Sequence, residues 1–391
     1  MRIHVVQPGQ TLYQISHMYG VPAKKIADAN EISIDKTLVV GQALVIPVAG
    51  DSKPRRSAEI NAYLDIRGSE VAPNLVQSAT QAAPHLTYLA PFSFQIKRDG
   101  SLKAPPLDNL QEIARQNHVT LMMVVTNMEN DQFSADLGAL FLNNAELQNT
   151  LLNNILQTAR RLNFRDIHFD IEHLRPQDKD AYNSFLRKAA NQIHQAGFLI
   201  STALAPKTSA AQTGAWYSAH DYKTHGQIVD FVVIMTYEWG YSGGPPMAVS
   251  PIGSVRNVLQ YAISEMPASK IMMGQNLYGY DWTLPYVPGG RFAKALSPQA
   301  AIDLARQVHA AIQYDYTAQA PHFSYWDNQG KHHIVWFEDA RSIQAKFNLV
   351  KELSLRGVSY WKLGLSFPQN WLLIDDNFNV TKRANRIVLR Q

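Results

Sequence analysis

Hydrophobic and polar positions predict a small unit at the start of the chain. Ile3-His-Val-Val-Gln7 and Gly41-Gln-Ala-Leu-Val-Ile-Pro47 are β-rich runs typical of strands. Between them, apolar residues at helical spacing follow Thr11, which can cap a helix, and Pro22–Ala29 predicts a second short helix. The order strand, helix, helix, strand predicts a βααβ unit, which we assign to residues 1–49.

The rest of the chain alternates between β-rich segments and stretches with helical periodicity. Eight such segments are present: Glu59–Gly68, His85–Phe94, Val119–Asn127, Asp166–Glu172, Phe198–Lys207, Asp230–Trp239, Lys270–Tyr280 and Gly357–Gly364. Several are nearly continuous apolar runs, as expected of parallel strands that are covered on both faces. Eight strands alternating with helices predict an α/β fold, a (β/α)8 TIM barrel. The alternative is a doubly wound open sheet, but no Gly-rich nucleotide loop follows the first strand.

The interval between the seventh and eighth predicted strands is too long for one barrel helix. It contains a predicted helix, Pro298–Gln313, and a β-like pair, His322–Trp326 and His332–Phe337. We therefore expect a small α+β insertion over residues 281–345. Insertions in βα loops lie at the catalytic face of a barrel, where they deepen the cleft.

A small, polar and charged segment with Gly and Pro joins the two parts. We assign residues 50–56 as the linker and residues 57–391 as the barrel. No apolar run follows Met1 closely, so we expect no secretory signal peptide, and no run is long enough for a membrane span.

Composition narrows the function only slightly. Charged residues make up 17% of the chain and the net charge is +4, without a dense basic stripe, so we expect no nucleic-acid partner. The chain has no cysteine, which excludes disulfides, thiolate metal sites and a Cys nucleophile. His332 and His333 are adjacent and would face opposite ways on a strand, so we predict no metal site and no cofactor.

Acidic residues at alternate positions mark the fourth predicted strand. His168, Asp170 and Glu172 point to the same side of the strand, while the apolar residues between them point to the other. In a barrel, the polar set faces the interior near the carboxyl end of the strand. A buried charge there costs several kcal/mol of desolvation unless it is paired or has a catalytic role. Two neighbouring carboxylates repel each other, and this repulsion raises the pKa of one of them. A general acid must keep its proton at neutral pH, and a raised carboxyl pKa allows this. We therefore predict that Asp170 and Glu172 are catalytic carboxylates.

The N-terminal unit resembles a lysin motif (LysM) domain. The resemblance rests on Val5–Ser16, Asn30 and Gly41–Pro47, and it covers nearly all of residues 3–48. That family binds the N-acetylglucosamine backbone of peptidoglycan or chitin. The resemblance implies a groove between the first helix and the loop before the second strand, and the residues carried over by position are Gly9, Thr11, Leu12 and Asn30 to Ile32.

The barrel resembles glycoside hydrolase family 18, the chitinase-like enzymes. Phe169-Asp-Ile-Glu172, Met235-Thr-Tyr237 and Tyr360-Trp361 carry this resemblance, which covers residues 57–385. The last two acidic positions of the family signature are kept as Asp170 and Glu172. The preceding aspartate position holds His168 and the glycine position holds Asp166, a departure from a conventional chitinase.

The resemblance implies substrate-assisted hydrolysis, in which the 2-acetamido group of the sugar attacks the anomeric carbon. Glu172 would then be the acid and base, Asp170 and Tyr237 would hold the acetamido group, and Trp361 would form the floor of the sugar site. His168 could share a proton with Asp170 or be a core histidine satisfied by hydrogen bonds. Further candidates for sugar contact are Met235, Asn127, Gln275, Asn276 and Tyr278.

A LysM domain joined to such a barrel resembles the spore cortex-lytic N-acetylglucosaminidases of endospore-forming bacteria. The predicted partner is peptidoglycan or another N-acetylglucosamine glycan, and the predicted location is the spore coat and cortex or the cell wall. We expect a monomer. Two alternatives are a chitinase or chito-oligosaccharide hydrolase and a non-catalytic glycan-binding coat protein.

Overall fold

A computed structural model describes residues 1–48 and 54–383 of the chain. The first part is the predicted βααβ unit, in which β1 and β2 pair antiparallel. Thr11 caps the first helix through a capping box with Gln14, and Gly20 ends it in the left-handed conformation. The four elements are β1 (Arg2–Val5), α1 (Leu12–Tyr19), α2 (Ala23–Ala29) and β2 (Ala43–Ile46).

The second part is the predicted (β/α)8 barrel. All eight predicted strands are present, and they pair in parallel around a closed ring. The ring closes because the first strand pairs with both the second and the eighth. In chain order the barrel strands are β3 (Arg56–Asp65), β4 (Tyr88–Phe92), β7 (Thr120–Thr126), β10 (Asp166–Asp170), β11 (Leu199–Leu204), β12 (Phe231–Ile234), β13 (Ile271–Asn276) and β19 (Gly357–Trp361).

Helices cover the outside of this ring. Alternate strand residues pack outward against them, while an inner layer that includes Tyr88, Met122 and Phe231 fills the barrel. The barrel helices are α3 (Pro73–Ala82), α4 (Leu110–Gln116), α5 (Ala135–Leu142), α6 (Ala145–Arg161), α7 (Lys179–Gln195), α8 (Tyr222–Ile228), α9 (Ile252–Glu265), α11 (Ala340–Glu352) and α12 (Pro368–Asn377).

Short elements complete the barrel. Those at its rim and edge are β5 (Phe94–Ile96), β6 (Leu102–Lys103), β8 (Met128–Glu129), β9 (Gln132–Phe133) and β20 (Phe378–Val380), with 3₁₀ turns at Ala83–His85, Pro176–Asp178 and Ala268–Lys270. The predicted linker falls partly outside the described residues, at 50–53, and Arg56 already begins the first barrel strand.

The insertion contains more β-strands than the pair predicted from the sequence. It is a five-stranded antiparallel sheet in the order β15-β14-β18-β17-β16, with one helix. The predicted seventh strand ends early, and its last residues begin the insertion sheet instead. The elements are β14 (Gly279–Thr283), β15 (Lys294–Leu296), α10 (Pro298–Gln307), β16 (Gln313–Asp315), β17 (Ala320–Trp326) and β18 (His332–Trp336).

The insertion helix is shorter than predicted. We expected it to run to Gln313, but it ends at Gln307, and Gln313 begins β16 instead. His309 adopts a left-handed φ of +53°, which a continuing α-helix cannot accommodate.

The βααβ unit packs directly on the barrel through its second strand. Leu44 and Ile46 of β2 face the interior of the small unit, whereas Ala43 and Val45 join the main core of the barrel. Both sets are buried, because each face of this strand is covered. Across residues 1–48 and 54–383, no helix combines the length and apolar character that a membrane span requires.

Candidate active site

The fourth barrel strand, β10, carries the acidic residues as predicted. Ile167, Phe169 and Ile171 point outward into the main core, and Phe169 packs edge-to-face on Phe185 of α7 with ring centroids 5.4 Å apart. The strand ends at Asp170, and Glu172 follows at its carboxyl end. This is the end of a TIM barrel at which active sites are built.

Asp170 and Glu172 form a buried acid pair. Glu172 donates a hydrogen bond to Asp170, and both side chains are less than a tenth exposed. Burial raises the pKa of Asp170, and burial together with the neighbouring negative charge of Asp170 raises the pKa of Glu172 well above its ordinary value. The pair therefore holds a proton at neutral pH. Within the described part of the chain, Oδ1 of Asp170 has no hydrogen-bond partner.

Trp216 holds the outer end of this acid pair. Its Nε1–H donates to Oε2 of Glu172 over 2.5 Å, and this bond favours the charged carboxylate. The residue lies in the irregular segment after β11, where no hydrophobic periodicity marks it. The sequence therefore gave no signal for this contact, which joins residues 44 positions apart.

Asn127 fixes the backbone of Glu172. The Glu172 N–H donates to Oδ1 of Asn127 over 3.0 Å, and Nδ2 of Asn127 donates to the Glu172 carbonyl over 2.9 Å. Asn127 was expected to contact sugar. Its side chain is instead fully buried beneath the site and occupied by these bonds.

His168 lies one step deeper in the barrel, in a chain of buried hydrogen bonds. Its Nε2 pairs with the Tyr63 hydroxyl at 2.8 Å, and its Nδ1 pairs with the Ser201 hydroxyl at 2.8 Å. Ser201 in turn donates to Asp166 over 2.7 Å. Burial lowers the pKa of His168 to about 3, so the ring is neutral. Both ring nitrogens are used, which matches a core histidine satisfied by hydrogen bonds rather than a partner of Asp170.

An aromatic wall stands beside the acid pair. It contains four residues that were predicted to contact sugar and that belong to one cluster, namely Met235, Tyr237, Tyr278 and Trp361. Burial raises the pKa of Tyr237 well above its ordinary value, so its hydroxyl remains able to donate. The cluster also includes residues that the sequence interpretation missed, namely Trp216, Tyr280, Trp282 and Trp336.

Glu238 is a partly buried carboxylate beside this wall. Its Oε1 accepts hydrogen bonds from Tyr278 over 2.5 Å and from Tyr280 over 3.0 Å. Burial raises its pKa. Tyr280 comes from β14, so the insertion supplies part of the wall.

Asn276 and Gln275, which were predicted to contact sugar, are both fully buried. Asn276 accepts from Ser250 over 2.6 Å and donates to the Tyr278 carbonyl over 2.8 Å, and it is fully buried. Gln275 donates to the carbonyl of Asn276. The amide of Asn276 is occupied on both sides, whereas Oε1 of Gln275 has no hydrogen-bond partner within the described residues.

His333 is held by acids of the insertion. It pairs with Asp281 at 2.8 Å and with Asp327 at 3.3 Å, while His332 stacks on Trp326. Over the two described stretches, no group of three or more His, Cys, Asp or Glu side chains is arranged to hold a metal ion.

The groove predicted on the LysM-like unit is present. A cavity of about 320 Å³ is lined by Thr11 and Leu12, together with Tyr13 and the segment 34–38. Asn30 and Ile32 are buried inside the unit; Asn30 bonds to Val45 and to Gln369 of the barrel. Gly9 has a left-handed φ of +78° in the turn before α1 and is not among the lining residues.

The closed barrel, with a buried acid pair at the end of its fourth strand, is that of a glycoside hydrolase. The model of the glycosyl hydrolases family 18 matches residues 62–365, and the chain belongs to that family. The LysM domain model matches residues 4–47.

Similar proteins match this chain over nearly its whole length. The cortical fragment-lytic enzyme of Bacillus subtilis (strain 168) is 60% identical over 431 aligned positions, covering 99% of this chain and 100% of the relative. The crystal structure of the spore cortex-lytic enzyme SleL of Bacillus megaterium QM B1551 has a TM-score of 0.83 and 56% identity. That match covers 98% of this chain and 87% of the solved one. Because this chain has 391 residues, the B. subtilis enzyme contains residues that it lacks.

Proposed function

We propose that this family 18 enzyme hydrolyses β-1,4 N-acetylglucosaminyl bonds in fragments of spore cortex peptidoglycan during germination, with retention of configuration. The observation that carries the chemistry is the buried acid pair of Glu172 and Asp170 beside Tyr237. The substrate is supported by the 60% identity to a cortical fragment-lytic enzyme, across 99% of this chain and 100% of that relative.

In this mechanism Glu172 is the acid and then the base. Its raised pKa keeps the proton that it gives to the glycosidic oxygen, while the 2-acetamido carbonyl oxygen of the substrate attacks the anomeric carbon. The bond to the leaving sugar breaks and an oxazolinium forms. Glu172, now a carboxylate, takes a proton from water as that water opens the oxazolinium.

Asp170 and Tyr237 hold the attacking group. Oδ1 of Asp170 accepts the acetamido N–H, and its carboxylate stabilises the positive charge that develops. The Tyr237 hydroxyl donates to the acetamido carbonyl and keeps it in line for attack. Trp361 supports the apolar face of the sugar, and Met235 and Tyr278 complete the wall. This assignment restricts the reacting sugar to one with a 2-acetamido group.

The βααβ unit serves as the wall-binding module in this proposal. Its groove offers Thr11, Leu12 and the exposed ring of Tyr13 to an N-acetylglucosamine chain. Gly9 shapes the turn that leads into the groove. We further propose that the enzyme acts as a monomer, at the spore cortex and coat.

The test is to compare two substrates with two proteins. The wild-type chain should release products from cortical fragments faster than from chitin oligomers of equal length. Glu172→Gln should bind the fragments and release nothing. Dominant activity on chitin would instead favour a chito-oligosaccharide hydrolase, and undiminished turnover by Glu172→Gln would exclude the mechanism.

A further inference from the structure

The insertion contacts both the catalytic cleft and the LysM domain. On one side, Tyr280 and Trp282 of β14 and Trp336 of β18 belong to the aromatic wall beside Tyr237. On the other side, α10 and the residue that precedes β16 contact the LysM segment between α2 and β2. One small subdomain therefore joins the two glycan sites.

The LysM groove has one regular wall and one irregular wall. The start of α1 supplies the first, with Thr11, Leu12 and Tyr13. The opposite wall is the segment 34–38, which belongs to no helix or strand. A segment of this kind has no backbone ladder of its own, so its conformation depends on outside contacts.

Those outside contacts come from α10. Arg306 donates through Nε to the Thr37 carbonyl over 2.7 Å, and it also pairs with Asp303 one turn earlier. Asp303 accepts from Lys36 over 2.9 Å. The Arg306 side chain is only 16% exposed, whereas Lys36 is 40% exposed. Of the two contacts, the one from Arg306 is therefore the better shielded from solvent.

Further contacts fasten the chain just after this wall. The Ile312 N–H donates to the Val40 carbonyl over 2.8 Å, and Val39 is buried in the apolar cluster of the insertion. Gly41 lies so close to Ile312 that a Cβ there would meet the Ile312 carbonyl oxygen at 1.8 Å. The insertion thus contacts the wall at Lys36 and Thr37 and binds the chain that follows it from Val39 to Gly41.

We propose that Asp303 and Arg306 are positioning residues for the LysM groove. They hold the segment 34–38 in the conformation that receives a β-1,4-linked N-acetylated amino-sugar chain. Without them the wall must be ordered when the ligand binds, and that ordering reduces affinity. The inference rests on the proposed glycan-binding role of the groove and adds that this role depends on the barrel.

The experiment titrates full-length Glu172→Gln protein with the N-acetylglucosamine pentamer by isothermal calorimetry. Tyr13→Ala identifies the binding phase that belongs to the groove, because Tyr13 lines it and is 68% exposed. Asp303→Ala combined with Arg306→Ala should weaken that phase about three- to tenfold, as expected from losing roughly one net hydrogen bond. The other phase, and kcat/KM on soluble fragments in the Glu172 form, should not change.

Asp376→Asn is the matched control. It removes another ion pair between the LysM domain and the barrel, Met1 to Asp376 at 2.7 Å, which lies at residues that do not line the groove. It should leave the groove phase unchanged. Arg306→Lys keeps the positive charge next to Asp303, so its groove phase should be weakened less than that of the Asp303 and Arg306 double variant.

Two results are kept apart by this design. If Tyr13→Ala weakens no phase, the groove does not bind the glycan and the proposed module role fails. If Tyr13→Ala weakens binding but the Asp303 and Arg306 double variant does not, the groove binds without the insertion and the positioning role is overturned. Arg306→Ala alone, which removes the better shielded contact with Thr37 and leaves Asp303 in place, provides the same comparison should the double variant unfold.

Discussion

At the residue scale, catalysis depends on how neighbouring side chains set the pKa of Glu172. Alternation along β10 was enough to predict that His168, Asp170 and Glu172 share a face. It could not reveal Trp216, because a loop residue 44 positions away has no periodic signature. Alternation also could not show that the Asn127 side chain bonds to the Glu172 backbone. A position at a strand end does not specify where a side-chain amide points.

Asp170→Asn tests the charge in the pair. The negative charge of Asp170 raises the pKa of Glu172, so its removal should lower that pKa. Glu172 must be protonated to act as the acid, and the basic limb of the kcat/KM profile should therefore move to lower pH. We expect kcat to fall about 10²–10³-fold, because charge stabilisation is lost as well. A basic limb that stays in place would contradict the coupling.

Trp216→Phe should move the same limb in the opposite direction. The indole hydrogen bond favours the Glu172 carboxylate, so without it the pKa rises and the acid form persists to higher pH. We expect kcat to fall roughly tenfold, about 1.4 kcal/mol, as Glu172 loses an anchor. Trp326→Phe is the control, because Trp326 is 68% exposed and stacks only on His332 among the described aromatic rings. Identical pH profiles for both variants would count against the Trp216 contact.

At the element scale, polar residues inside the barrel need partners from neighbouring strands. Ser201 on β11 serves both His168 and Asp166 on β10. Ser201→Ala leaves two buried groups short of a partner and should lower the free energy of unfolding by about 1–3 kcal/mol. Urea denaturation measures this, with Ser218→Ala, whose hydroxyl bonds in an exposed loop, as the control. Equal stability of the two variants would mean that the buried chain of hydrogen bonds is dispensable.

Close packing between strands limits other positions. A Cβ at Gly274 of β13 would lie 2.4 Å from the Ile234 carbonyl oxygen and 2.9 Å from the Tyr237 ring. Gly274→Ala should therefore cost about 1–3 kcal/mol and lower kcat by displacing Tyr237. Gly253→Ala on α9, where a Cβ meets nothing within 4 Å, should be neutral or stabilising by up to about 1 kcal/mol. A fully active, fully stable Gly274→Ala protein would refute this packing argument.

The length of its apolar run and its pairing partners decide whether an element can be predicted from the sequence. The eight barrel strands stand out because their apolar runs are long and separated by helices. The helix and two strands of the insertion were predicted, but its first strand, β14, was not. The β-rich run of β14 continues that of the seventh barrel strand with only a short interruption. Which sheet receives Gly279–Thr283 is decided by pairing with β18, a contact that sequence spacing cannot show.

At the scale of the whole molecule, the LysM domain is part of one folded body rather than a loosely tethered module. Ala43 and Val45 belong to the main core, and Val39 belongs to the core of the insertion. Removal of residues 1–48 would expose these surfaces, so point variants are better probes than truncation. The sequence predicted two units and a linker but gave no information on how the units pack.

This packing predicts cooperative unfolding. Because apolar residues of β2 are shared with the barrel, the two parts should lose structure together. Calorimetry should give a single transition, and amides of residues 1–48 should exchange with free energies close to those of the barrel strands. A separate early transition for the LysM domain would show that the shared core contributes little.

Cleavage by Glu172 after N-acetylglucosamine in cortical fragments can be identified from the new reducing end. Cortical fragments are digested, reduced with borohydride and analysed by mass spectrometry. We expect reduced N-acetylglucosamine at the new ends with wild-type protein and none with Glu172→Gln. Reduced muramic acid at the new ends, or equal release by Glu172→Gln, would contradict it.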